Sequence, residues 1–115
     1  MTAPLNQPLD DRNFAELQQQ AGDAAAFLKQ LANEKRLLIL CRLAVGEATV
    51  SELCEMADLS QSAMSQHLAK MRSEGLVAGR KSGLQVHYSI ADERCHGILK
   101  HLKQDFCIAA DSLPG

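Results

Sequence analysis

Between Thr49 and Ile90 the chain sets two short helical patterns around a tight turn and follows them with a hairpin that has a basic tip. The centre reads Thr49-Val50-Ser51-Glu52-Leu53-Cys54-Glu55-Met56-Ala57-Asp58-Leu59-Ser60-Gln61-Ser62-Ala63-Met64-Ser65-Gln66-His67-Leu68. Thr49 and Glu52 have the spacing of a capping box, so a helix starts there. Asp58-Leu59 makes the turn, and Ser60 caps the next helix. Ala63, Met64, Leu68 and Met71 give that helix a core face, while Ser62, Ser65, Gln66 and Lys70 point away from it. Gly75 stops it. Few arrangements satisfy this order, and the simplest is a helix-turn-helix followed by a wing.

The wing is predicted from Leu76 to Arg80 and from Gln85 to Ile90, around Lys81-Ser82-Gly83-Leu84. On its second strand Val86, Tyr88 and Ile90 alternate with Gln85, His87 and Ser89. The second helix of the pair opens with hydroxyls and an amide instead of apolar residues. Such side chains near a helix N-terminus bond phosphates and base edges in the major groove of double-stranded DNA. The candidate contacts are Ser60, Gln61, Ser62, Ser65, Gln66, His67 and Lys70 on the helix, with Arg80, Lys81 and His87 on the wing. His67 is read as a brace for its helix, and His87 as exposed near phosphates.

Charge supports that surface. The formal net charge is −2, which argues against a nonspecific nucleic-acid binder, but it is unevenly spread. Residues 1–59 hold nine acids against five bases, whereas residues 60–90 hold Lys70, Arg72, Arg80 and Lys81 against Glu74 alone. The basic part coincides with the proposed DNA face, as phosphate contact requires.

Around this centre the chain reads as one mainly helical domain, in the order helix, helix, helix, helix, strand, strand, helix. It runs over residues 13–109, with an N-terminal tail at 1–12 and a C-terminal tail at 110–115. Phe14, Leu17, Ala21, Ala24, Leu28 and Leu31 form one stripe of a first helix. Asn33 can cap a second helix that Gly46 ends. Its run Leu37-Leu38-Ile39-Leu40-Cys41 is apolar on every side and is expected to be buried all round. Asp92 caps a last helix with the stripe Cys95, Leu99, Leu102 and Phe106. The first and last helices carry more apolar surface than a small winged core needs, so a homodimer through them is expected. No apolar run approaches the roughly 20 residues of a membrane span, and no signal peptide is evident, so a cytoplasmic chain is expected. Four cysteines occur without a C-x-x-C pair and should rest reduced there.

Residues from about Phe27 to Cys107 resemble the ArsR/SmtB family of small dimeric winged-helix repressors. The matching residues are Leu31-Ala32-Asn33-Glu34-Lys35-Arg36-Leu37-Leu38-Ile39-Leu40, Ser51-Glu52-Leu53, Leu59 to Leu68, Glu74-Gly75-Leu76-Val77 and His87-Tyr88-Ser89-Ile90. The resemblance implies a repressor that sits on operator DNA and leaves when an inducer binds.

The family's inducer sites can be checked one by one. Its arsenic-type site needs two cysteines in Glu-Leu-Cys-x-Cys, and here Cys54 is followed by Met56, a poor substitute for a thiolate. Its zinc-type site needs an Asp-x-His pair with a further His eleven residues on. Here Asp92 is followed by Arg94, and the later position is Asp105. Neither site is intact, so no metal or other cofactor is expected. Cys41 in the second helix and Cys107 near the end of the last resemble the BigR/SqrR-type branch, which senses persulfides. By that resemblance Cys41 and Cys107 are the redox-sensing pair. A persulfide or polysulfide inducer would link them through one or more extra sulfur atoms, and DNA binding would fall.

Read from its neighbours, Cys41 lies among Leu37, Leu38, Ala44 and Val45, where a cysteine is commonly a small buried hydrophobe with a raised pKa. Cys107 shares a helical face with Lys103 and Lys100, which favour a thiolate, while the helix dipole opposes it. Cys107 is therefore the better first nucleophile and Cys41 the resolving thiol. Cys95 is assigned to dimer or core packing and Cys54 to helix packing. Three alternatives remain open. They are a metal-responsive repressor using Cys54, Cys95, His96 or His101, a thiol-dependent redox enzyme, and a winged-helix module that binds protein. No catalytic base stands beside either favoured cysteine in the sequence, so an enzyme is not expected.

Overall fold

A computed structural model describes residues 10–106 and divides the chain after Asn33 into two compact units. The first holds α1 (Asp11–Leu31), capped by the side chain of Asp10, which accepts from the Asn13 N–H at 2.9 Å. Phe14, Leu17 and Leu28 of its apolar stripe are exposed.

The second unit contains α2 (Glu34–Val45), β1 (Ala48–Thr49), α3 (Val50–Ala57), α4 (Gln61–Ser73), β2 (Val77–Ser82), β3 (Gln85–Ile90) and α5 (Arg94–Phe106). This is a winged helix-turn-helix, as predicted, with one strand that the sequence reading did not include. The hairpin β2–β3 is joined by β1 on its other side, in the order β1-β3-β2 with every pairing antiparallel. Two residues are too few for alternating hydrophobicity to reveal a strand. β1 exists because Ala48 and Thr49 pair with Tyr88 and His87 while the chain turns into α3.

The local signals act as expected. The Thr49 hydroxyl accepts from the Glu52 N–H, and the Glu52 carboxylate accepts from the Thr49 N–H at 2.9 Å. Asp58 closes α3 in the left-handed region at φ 53°, which aspartate tolerates better than most residues. Ser60 accepts from the Ala63 N–H at 3.2 Å. Gly75, at φ 81°, lets the Leu76 N–H close back on the Met71 carbonyl at 2.9 Å. The Asp92 carboxylate accepts from the Arg94 N–H at 3.0 Å at the start of α5. The wing turns on Gly83 and Leu84 alone, a tighter tip than predicted. Gly83 takes φ 65°, as a glycine first in a two-residue loop allows.

Met64, Leu68 and Met71 from α4 are fully buried, together with Leu53 from α3, Ile39 and Leu40 from α2, Leu76 and Cys95. The second helix corrects one expectation. It is not buried all round: Ile39, Leu40 and Leu43 face the core, but Leu38, Cys41, Ala44 and Val45 are exposed, Val45 at 85%. A run of consecutive apolar residues covers the whole circumference of a helix, and only one side of α2 has elements of this unit packed on it.

Candidate nucleic-acid interface and thiol site

The spacing of core residues on α4 leaves one polar face. Gln61, Ser62, Ser65, Gln66 and Lys70 are exposed, and His67 is half-buried. Ser60 uses a hydroxyl lone pair for its cap, so its O–H remains able to donate. No residue of α4's first turn is acidic, so the positive end of the helix is unopposed there.

The wing residues differ from their sequence reading. Lys81 is exposed on β2. His87 is half-buried, not exposed, because its position on β3 is flanked by Thr49 of β1 and Arg80 of β2. Arg80 is exposed but engaged: its guanidinium donates to the Glu47 carboxylate at 2.8 Å. This bond, with the charges of Arg80 and His87, holds the Glu47 carboxyl below its ordinary pKa, and it raises that of Arg80. Sequence spacing offered no sign of this pair, whose members lie 33 residues apart.

Two further contacts fix the helix-turn-helix and were equally invisible in the sequence. Arg36 is buried and forks onto Glu74, at 2.8 and 3.1 Å. Lys35 donates to the Ala57 carbonyl at 3.0 Å. Consecutive residues of α2's first turn thus hold the ends of both α3 and α4.

The three described cysteines occupy different settings. Cys41 is exposed on α2, so the reading of it as a buried packing residue does not hold. Cys54 is half-buried. Cys95 is fully buried in the core, and burial, aided by the Asp92 charge and opposed by Arg94, pushes its thiol up to about 11. Cys107 lies outside the described residues. Among the described residues no three His, Cys, Asp or Glu side chains gather in a group that could hold a metal ion, and no helix is long and apolar enough to cross a membrane.

Residues 33–78, which span this helix-turn-helix and its mounting turn, match the model of the arsR family of bacterial regulatory proteins. The chain is 45% identical to the HTH-type transcriptional regulator YgaV of Escherichia coli, over 82% of this chain and 96% of that protein. It belongs to the arsR family. It is also 40% identical to the transcriptional activator HlyU of Vibrio cholerae, over 84% of this chain and 90% of that one. The crystal structure of the transcriptional repressor BigR from Xylella fastidiosa superposes with a TM-score of 0.77 at 29% identity, covering 82% of this chain and 96% of that one. This member of the arsR family is a transcriptional regulator, not an enzyme.

Proposed function

We propose that this arsR-family chain is an operator-binding repressor that releases double-stranded DNA when persulfide or polysulfide links Cys41 to Cys107. The observation that carries the reading is the exposure of Cys41 on the same helix whose first turn holds both helices of the helix-turn-helix. An exposed thiol can meet a small sulfur donor, and a thiolate is the species that attacks. The polar face of α4, with Ser60, Gln61, Ser62, Ser65, Gln66 and Lys70, lies in the major groove, braced by His67. Lys81, Arg80 and His87 of the wing lie toward phosphates. The apolar residues Phe14, Leu17 and Leu28 on α1 and Phe106 on α5 are exposed and suit a homodimer that sets two such helices against one operator.

The chemistry balances without a further oxidant. Each thiolate takes the outer sulfur of one persulfide, RS–SH, and releases RSH. Attack of one protein persulfide on the other expels hydrogen sulfide and leaves a trisulfide between Cys41 and Cys107. Tying α2 to the residues after α5 changes the helix that mounts α4. A coupling of about 1–3 kcal/mol would lower DNA affinity about 5- to 150-fold.

Binding of the reduced chain to its own upstream promoter, before and after glutathione persulfide, tests the reading. Wild type should release the duplex, and peptide mapping should find the sulfur-bridged pair. A Cys41→Ser or Cys107→Ser chain should stay bound. Release by either variant would overturn the thiol mechanism and leave the DNA reading intact.

A further inference from the structure

Glu47 follows α2 and precedes β1, and its two carboxylate oxygens both face Arg80 of the wing. Arg80 donates through one terminal nitrogen to Oε1 at 2.8 Å and through Nε to Oε2 at 3.5 Å. The neighbouring charged groups have partners of their own. Arg42 donates to the Gly46 carbonyl at 3.1 Å and stands 3.7 Å from Glu52. Glu52 is held by Thr49, and His87 adds attraction toward both carboxylates. Both side chains of the Glu47–Arg80 pair remain well exposed, at 44% and 59%.

An exposed pair contributes little to folding. A phosphate could use the same Arg80 fork that Glu47 occupies, because guanidinium binds carboxylate and phosphate in one bidentate geometry. We propose that Glu47 is a determinant of DNA affinity: it holds Arg80 oriented but neutralised, and a backbone phosphate must displace the carboxylate to engage it. The proposal rests on the wing's contact with DNA. Removing the carboxylate charge should tighten binding about two- to five-fold, the strength of an exposed pair. It should also steepen the log–log salt dependence by up to about one unit, since the displaced wild-type carboxylate takes up a cation on binding and offsets one that the DNA releases.

The test is fluorescence anisotropy of the full reduced chain on its promoter duplex across a salt series, with thermal melting of each protein. Glu47→Gln should bind more tightly and with a steeper slope, Glu47→Ala should do the same, and Arg80→Ala should bind more weakly. In an Arg80→Ala background the gain from Glu47→Gln should largely vanish. An unchanged or weaker affinity for both Glu47 variants at unchanged melting would overturn the proposal. So would an equal gain without Arg80, which would mean simple repulsion between carboxylate and phosphate. A wild-type chain that bound no duplex would instead sink the DNA reading beneath it.

Discussion

Arg36, in the first turn of α2, meets Glu74, which closes α4, through two parallel hydrogen bonds of 2.8 and 3.1 Å. The Arg36 side chain is 10% exposed and that of Glu74 is 24% exposed, so the pair is shielded but not dry. Lys35 beside it anchors Ala57 of α3. The helix-turn-helix is therefore mounted by one turn of the helix that also carries Cys41. A chemical event on α2 has a short mechanical route to α4.

Glu74→Gln should leave one hydrogen bond from Arg36 to an uncharged amide oxygen where two to a carboxylate stood, and lower stability by about 1–2 kcal/mol at neutral pH. The Arg36 hydrogen bond holds the Glu74 carboxyl below its ordinary value of 4.5. In acid the unfolded chain takes up that proton before the folded chain does, so stability falls as pH drops through and below 4.5. Urea melts of wild type should show this loss, and the variant should show less of it. Equal acid slopes for the two proteins would mean the fork contributes nothing.

Cys41 and Cys95 should differ in reactivity, and burial should give Cys95 a pH response of its own. Iodoacetamide at neutral pH should label exposed Cys41 quickly and Cys95 only at the rate of unfolding, because Cys95 is fully buried. The Cys95 thiol, raised from 9.0 to about 11, keeps its proton in the folded chain over a range where the unfolded chain has lost it. Stability should consequently decline by up to about 2–3 kcal/mol as pH rises through that window. Cys95→Ala should remove this alkaline limb. Rapid labelling of Cys95 in the native protein would contradict its place in the core.

What the sequence shows and hides here follows from the range of each interaction. Thr49 with Glu52, Ser60 with Ala63, and Gly75 act within a turn of chain, so local pattern located the capped helix starts and the end of α4. Helical spacing also picked out Met64, Leu68 and Met71, because an amphipathic helix writes its core face every three or four residues. The same reasoning misjudged α2: continuous apolar sequence reports hydrophobicity, not which side finds a neighbour. β1 was too short for a pattern. The Glu47–Arg80 and Arg36–Glu74 pairs join residues 33 and 38 apart, and no spacing rule brings such distant charges together.

The two caps of the helix-turn-helix should separate folding from binding. Thr49→Ala and Ser60→Ala each remove an N-cap acceptor and should each cost about 1 kcal/mol of stability. Only Ser60 has its hydroxyl at the exposed start of α4. Ser60→Ala should accordingly weaken operator binding beyond its effect on melting, whereas Thr49→Ala should leave the affinity of the folded fraction unchanged. Equal losses of affinity would remove Ser60 from the interface.

Gln66 and Lys81 should weaken binding in different ways. Gln66 is exposed one turn beyond Ser62, where an amide can pair with a base edge. Gln66→Ala should cost about 1–3 kcal/mol on the preferred operator and little on unrelated duplex, since base contacts carry sequence information and phosphate contacts do not. Lys81→Ala should weaken every duplex alike and reduce the salt slope by about one unit. Both side chains are exposed, so neither change should move the melting temperature appreciably. Competition titrations on operator and scrambled duplexes would read the difference. If Gln66→Ala lost affinity equally on both, α4 would be holding the backbone and the bases would have to be read elsewhere.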